Sequence, residues 1–166
     1  AEAGVTMEYE RKPEQMAYPY LYASPLHLRQ LFLNIYGNCI KYNHVGGRVR
    51  MDLTCVGAEN GRVTYRWTIS DTGVGMSEEF LAHIFEPFAQ ENSDARSVYQ
   101  GTGLGMAIVK SLVDRMGGEI CVTSEKGKGS TFVVTLPFDI AEQKPRRETN
   151  ASASIKGLKL LLAEDN

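Results

Sequence analysis

No stretch of this chain stays apolar long enough to cross a membrane, and no charged-then-apolar leader opens it. The expectation is a cytoplasmic segment without direct membrane contact, even if a longer parent is anchored. Charge of one sign is also lacking. Eighteen Lys+Arg against twenty Asp+Glu leave a net charge of -2, so there is no basic footprint and no expectation of a nucleic-acid partner. Cysteine is scarce: Cys39, Cys55 and Cys121 are far apart, without metal-ligand spacing, and each lies in an apolar stretch. They read as three small core residues in a reducing compartment. No G-x-x-x-x-G-K-[ST] sequence occurs, which removes the P-loop, and no G-x-G-x-x-G follows a strand pattern.

What is present is ordinary in bulk. The 166 residues are 43% hydrophobic and 23% charged, which suits one domain plus a tail. The pattern predicts a first strand over 5–11, then a loop carrying Pro13, Pro19 and Pro25. A helix starts after Ser24, with Pro25 at its first position, and runs to about Tyr42. Val49, Met51, Leu53 and Cys55 alternate in one strand, and Val63, Tyr65, Trp67 and Ile69 in the next, joined as a hairpin through 57–61. A short helix over 77–84, a polar stretch over 90–100, an apolar helix over 103–116 and strands near 119–124 and 130–138 complete the domain. The composition then turns to charge, Ser and Ala over 141–157, as in a linker. Residues 158–163 read as a buried strand, the opening of a second domain.

Three segments carry chemistry. On the first helix Asn34, Asn38 and Lys41 fall within an arc of roughly 60° beside the apolar face. Amide oxygens suit a hard cation such as Mg²⁺, which keeps positions for phosphate oxygens and water, and a lysine offsets phosphate charge. A surface helix with two asparagines is the plainer alternative. Asp71 continues the odd-numbered series of Val63 to Ile69 and so points inward. A buried carboxylate needs donors, and the exocyclic amine of adenine is one; Gly73 and Gly75 would let the backbone approach a flat base. The alternative is an Asp that bonds only its own turn. The third segment, Gly101-Thr102-Gly103-Leu104-Gly105, opens a helix whose amides and dipole favour anions. The polar stretch before it reads as a cover over phosphates, with Arg96 a contact.

Taken together these segments resemble the catalytic, ATP-binding domain of bacterial sensor histidine kinases, within the wider group of gyrase, Hsp90 and MutL. The resemblance covers 5–138. The asparagine helix resembles the N box and Asp71 to Gly75 the first glycine box. Ile84-Phe85-Glu86-Pro87-Phe88 resembles the phenylalanine box, and Gly101 to Gly105 the second glycine box. The resemblance implies an α+β fold, a two-layer α/β sandwich of the Bergerat type with a mixed sheet and helices on one face, over residues 1–140. It implies ATP and Mg²⁺ as cofactors, with Asn38 on the metal and Asn34 assisting. Lys41 and Tyr42 would face the phosphates and Asp71 the adenine amine, with Phe88, Thr102 and Leu104 also at the nucleotide. Gly101, Gly103 and Gly105 would shape the lid, and Thr131 would support the adenine end. Cys39 stands where the family usually has Ala, and Met106 where it has Leu.

The tail, Lys159-Leu160-Leu161-Leu162-Ala163-Glu164-Asp165-Asn166, resembles the first strand of a receiver domain, which implies a hybrid kinase parent. His27, His44 and His83 lack the acidic neighbour and helical-hairpin context of a phosphoacceptor. The implied partners are therefore a histidine-containing dimerisation domain of the same parent and a C-terminal receiver domain. Two other readings compete. A gyrase- or Hsp90-like ATPase would be expected to carry a glutamate base where Asn34 stands, and an amide cannot take a proton from water. A non-catalytic, nucleotide-dependent regulatory module is the third.

Overall fold

The computed structural model describes residues 4–10, 16–91 and 102–142. The linker beyond 142, the receiver-like tail, Arg96 and Gly101 lie outside the described residues. The elements run β1 (Thr6–Tyr9), β2 (Leu21–Tyr22), α1 (Pro25–Lys41), β3 (Arg48–Glu59), β4 (Arg62–Asp71), α2 (Glu78–Leu81), α3 (Gly105–Arg115), β5 (Glu119–Glu125) and β6 (Gly129–Ile140). The sheet has the order β1-β3-β4-β6-β2, with β5 also on β6. Only β1 and β3 pair in parallel among these strands; the other pairs are antiparallel. The result is the expected α+β sandwich of a mixed sheet and helices.

Register explains the core. Directly opposed residues point to the same side of a sheet. The rows Met51–Ile69–Phe132, Leu53–Trp67–Val134 and Cys55–Tyr65–Leu136 therefore form one apolar face. Helix α1 lays Leu31, Ile35 and Cys39 on it, and α3 adds Met106, Val109, Leu112 and Val113. Each fully buried aliphatic side chain of this kind contributes about 1.5–3 kcal/mol. The buried Tyr65 hydroxyl donates to the Tyr18 carbonyl and accepts from the Tyr18 amide, both at 3.1 Å, so the segment before β2 is held to the sheet. No helix among the described residues is long and apolar enough to cross a membrane.

Local chemistry sets the ends. Ser24 caps α1 by accepting from the His27 amide, with Pro25 in the first turn. The β3–β4 connection is tighter than expected. Pairing continues to Glu59–Arg62, Asn60 and Gly61 turn with φ of 52° and 75°, and a bulge at Val56 absorbs the odd residue. Cysteine burial also departs from expectation: Cys39 is buried, Cys55 half-buried and Cys121 exposed. Cys121 has the parity of Val133 rather than that of Ile120, so it lies on the face away from the helices. The two-residue β2 falls in what reads from sequence as a proline loop.

Candidate functional site

The site forms where the end of α1, the end of β4 and the start of β6 meet. A buried side chain, Asn43, holds that junction. Its Nδ2 donates to the Arg48 carbonyl at 3.2 Å, and its Oδ1 accepts from the His44 amide at 3.0 Å. Thr72 Oγ1 accepts from the Arg48 amide at 2.9 Å, and the Thr72 amide donates to the Arg48 carbonyl at 3.1 Å. The Val74 amide reaches the Tyr42 carbonyl at 3.0 Å. The asparagine helix and the Asp71–Gly75 loop are thus locked to one another by backbone.

Asp71 sits opposite Ser130 on β6 and Val49 on β3. Its Oδ1 accepts from the Gly73 amide at 2.8 Å. The carboxylate thus bonds its own turn and still faces inward, and its two oxygens offer several acceptor positions. Burial pushes its carboxyl above the ordinary value of 3.8, while the Gly73 amide, the Cys39 thiol and the Ser130 amide favour the charged form. Burial, and then Asp71 itself, push the Cys39 thiol far up, so it remains protonated. A Cβ on Gly73 would strike the Tyr42 carbonyl, and one on Gly75, whose φ is 65°, would strike the Glu125 carbonyl. Glycine is what lets these segments touch.

The helix residues flank this junction. Asn34 Nδ2 is occupied by the Gln30 carbonyl at 2.9 Å. Its Oδ1 lies against Gly105, 3.0 Å from where a Cβ would stand. The first asparagine and the second glycine box are thus neighbours. Asn38 is half-buried beside Cys39, and Lys41 Nζ stands 5.0 Å over the Tyr42 ring. Side-chain amide oxygens on one helix flank suit a hard cation that keeps most of its water. Thr102 is exposed and Leu104 half-buried, with Leu104 at the N-cap position of α3 and no side-chain cap bond. The first amides of α3 are free of that competition.

The phenylalanine box meets the second glycine box directly. The Phe88 amide donates to the Gly103 carbonyl at 3.0 Å, and a Cβ on Gly103 would lie 2.7 Å from Phe88 backbone. Phe88 holds a φ of 67° and is 71% exposed. Nearby, Glu91 Oε1 accepts from the Ser77 amide at 3.0 Å and from Lys126 Nζ at 3.2 Å.

One expected residue does not join the site. Thr131 pairs with Ser70, and their hydroxyls meet at 3.0 Å on the face turned away from Asp71. The residue facing Asp71 is its neighbour Ser130, which is buried. The signal was available: Ser130 has the parity of Phe132, Val134, Leu136 and Phe138, which alternate as the core side of that strand. Ser124, Gly129 and Glu91 were likewise not singled out by sequence.

Residues 23–140 match the family described as histidine kinase-, DNA gyrase B-, and HSP90-like ATPase. The autoinducer 2 sensor kinase/phosphatase LuxQ of Vibrio harveyi is 39% identical over 155 residues, covering 88% of this chain and 18% of that protein. The chain thus spans less than a fifth of that relative. Among solved structures, full-length ShkA in complex with AMPPNP has a TM-score of 0.66 at 33% identity, covering 84% of this chain and 27% of that one. The mycobacterial sensor histidine kinase MprB has a TM-score of 0.65 at 26% identity, covering 84% and 87%.

Proposed function

From a chain that belongs to the family of histidine kinase-, DNA gyrase B- and HSP90-like ATPases, we propose that this domain binds ATP with Mg²⁺ and serves phosphoryl transfer to a histidine on a separate dimerisation domain. The observation that carries the proposal is the meeting of Asp71, the asparagine flank of α1 and the glycine start of α3 around one junction. Asp71 would accept the adenine amine, with Gly73 and Gly75 allowing the base close to the backbone. Asn38 would hold the metal with Asn34 assisting, Lys41 and Tyr42 would face the phosphates, and the amides opening α3 would receive their negative charge. Bound Mg-ATP supplies the transferable γ-phosphoryl group. The protein's own task is then positioning and charge stabilisation, because an imidazole is itself the nucleophile.

The kinase reading is favoured over hydrolysis by Asn34. It is an amide, already engaged with the Gln30 carbonyl through its nitrogen, and it cannot act as a base toward water. Among the described residues, none of the three histidines lies in a helical hairpin: His27 is in the first turn of α1, His44 bonds backbone and His83 follows α2. Against expectation, His83 does have an acidic partner, Glu86, at 2.8 Å, so the missing hairpin context is what argues against it as the acceptor. The parent is proposed to be a hybrid kinase with a C-terminal receiver domain. The support for that is the receiver-like tail.

The test is incubation with γ-labelled ATP, with and without an added dimerisation domain from a homologous kinase. The chain alone should bind ATP yet take up no acid-labile label and release phosphate slowly. Transfer should appear when the second domain is added, weakly at low concentration because tethering is lost. Rapid phosphate release by the chain alone would favour the ATPase reading. Binding without transfer to any acceptor would favour the regulatory module.

A further inference from the structure

The Gly46-Gly47 turn holds two parts of the chain at once. On one side it takes in the incoming strand: the Gly46 amide donates to the Gly4 carbonyl at 2.9 Å, and the Thr6 amide donates to the Gly47 carbonyl at 2.9 Å. On the other side it lies against Asn43, whose oxygen a Cβ on Gly47 would strike. The Asn43 side chain is 8% exposed and spans the turn, accepting from the His44 amide and donating to the Arg48 carbonyl. That same carbonyl receives the Thr72 amide, and the carbonyl of Tyr42, the residue before Asn43, receives the Val74 amide. One buried amide therefore stands between the place where β1 is hooked and the place where the asparagine helix meets the first glycine box.

β1 is the part of this arrangement most easily released. It has four residues, pairs with β3 alone among the described strands, and buries only part of Met7. Its ion pairs, Glu8 with Arg48 and Glu10 with Arg50, are exposed. An element with so little buried apolar contact opens locally without unfolding the rest. Opening of β1 removes both hooks from the Gly46-Gly47 turn. We infer that Asn43 is a positioning residue that makes nucleotide binding depend on the seating of β1. With the strand seated, the turn keeps the Asn43 amide across Arg48 and His44, and Tyr42 and Thr72 stay in place. With it released, that amide is freed and the junction loosens. This rests on the nucleotide reading above and names what holds its site in register. Coupling between two equilibria is reciprocal, so bound nucleotide must in turn steady β1. A force on the chain ahead of Gly4 would thereby reach the site through a backbone turn, with no contact to the ligand.

Thr6→Pro tests this without touching the site, because proline lacks the amide that reaches Gly47 and leaves the net charge unchanged. ADP is titrated calorimetrically into wild type, Thr6→Pro, Asn43→Ala and the double variant. Hydrogen exchange of the Thr6 amide is followed in wild type and Asn43→Ala, with and without ADP. Thr6→Pro should weaken ADP by about threefold to tenfold. Saturating ADP should slow Thr6 exchange in wild type by at least the same factor, because the affinity lost on release of β1 cannot exceed the coupling. In Asn43→Ala, ADP should leave Thr6 exchange unchanged, and adding Thr6→Pro should lose no further affinity. A merely structural Asn43 would let the two losses multiply, and that outcome would overturn the inference. So would wild-type affinity in Thr6→Pro, or Thr6 exchange indifferent to ADP in wild type; each of these leaves ATP binding standing. No binding of ADP by the wild-type chain would overturn the nucleotide reading itself. Should Asn43→Ala not fold by circular dichroism, Asn43→Ser, too short to span both partners, takes its place with the same expectations. Should Thr6→Pro not fold, the exchange measurements on wild type and the Asn43 variant decide alone.

Discussion

Phe88 gives its amide proton to the Gly103 carbonyl at 3.0 Å, and both residues hold a positive φ, 67° and 69°. A bulky residue in that conformation is a true outlier and persists only where its surroundings hold it. The contact fits because Gly103 has no side chain: a Cβ there would lie 2.7 Å from Phe88 backbone. Gly103→Ala should therefore lower stability by about 1–3 kcal/mol and weaken nucleotide binding further, because the α3 amides shift with it. Thermal unfolding and calorimetry of the same variant separate the two effects. A fully stable variant with wild-type affinity would mean that the contact is dispensable.

Asp71→Asn should weaken adenine nucleotides by about 1–3 kcal/mol, since an amide can turn its own donor toward the base amine. Without ligand, the stability of Asp71→Asn relative to wild type should shift in the variant's favour as pH rises from 4 to 7. The sign follows from burial, which raises the carboxyl above 3.8 in the folded state. A raised carboxyl binds its proton more tightly when folded, so its contribution is most favourable below about pH 4 and is lost as pH rises through the folded value. Melting curves of both proteins over that range measure the shift.

Asn38→Ala should reduce the Mg²⁺-dependent part of ATP affinity while leaving folding nearly intact, because the amide flanks the site rather than filling the core. Titrations with and without Mg²⁺ measure this directly. Equal enhancement by Mg²⁺ in variant and wild type would remove Asn38 from the metal.

Glu91 offers a graded test of polar linkage. Lys126 is 69% exposed in this pair, so the ion pair contributes at most about 1 kcal/mol. The Ser77 amide has no partner of the helix's own and depends on Glu91 Oε1. Glu91→Gln should cost less than about 0.5 kcal/mol, and Glu91→Ala about 1 kcal/mol. Urea unfolding of the two variants decides whether the amide or the charge is the larger part.

Most of the fold was readable because alternation and helical spacing are short-range. The β3–β4 hairpin, α1 with its Ser24 cap, and the inward parity of Asp71 all follow from windows of a dozen residues. What was not readable depends on distant pairing. Two residues of β2 carry no period and exist because Ile140 and Asp139 pair with them. Bringing Thr131 to the adenine end rested on family likeness and missed by one residue, which in a strand reverses the face. The five-residue connection expected between β3 and β4 shortened to two because Asn60 and Gly61 both accept a positive φ. Nothing in the local sequence announces that Ser124, Met76 and Gly129 share one hydroxyl.

The pairing of β4 with β6 has a kinetic side. Ser70 and Thr131, which flank the Asp71–Ser130 step, are 61 residues apart in the chain. The Asp71–Ser130 pairing therefore exists only after a long loop has closed, one that encloses α2 and α3, and such closures slow folding. Trp67 lies on β4 within ring contact of Phe32 on α1 and Phe138 on β6, so its fluorescence follows the same event. During refolding, the capacity to hold nucleotide should arrive with that signal and not before it. A ligand present during refolding would then act mainly by slowing the return to the open chain.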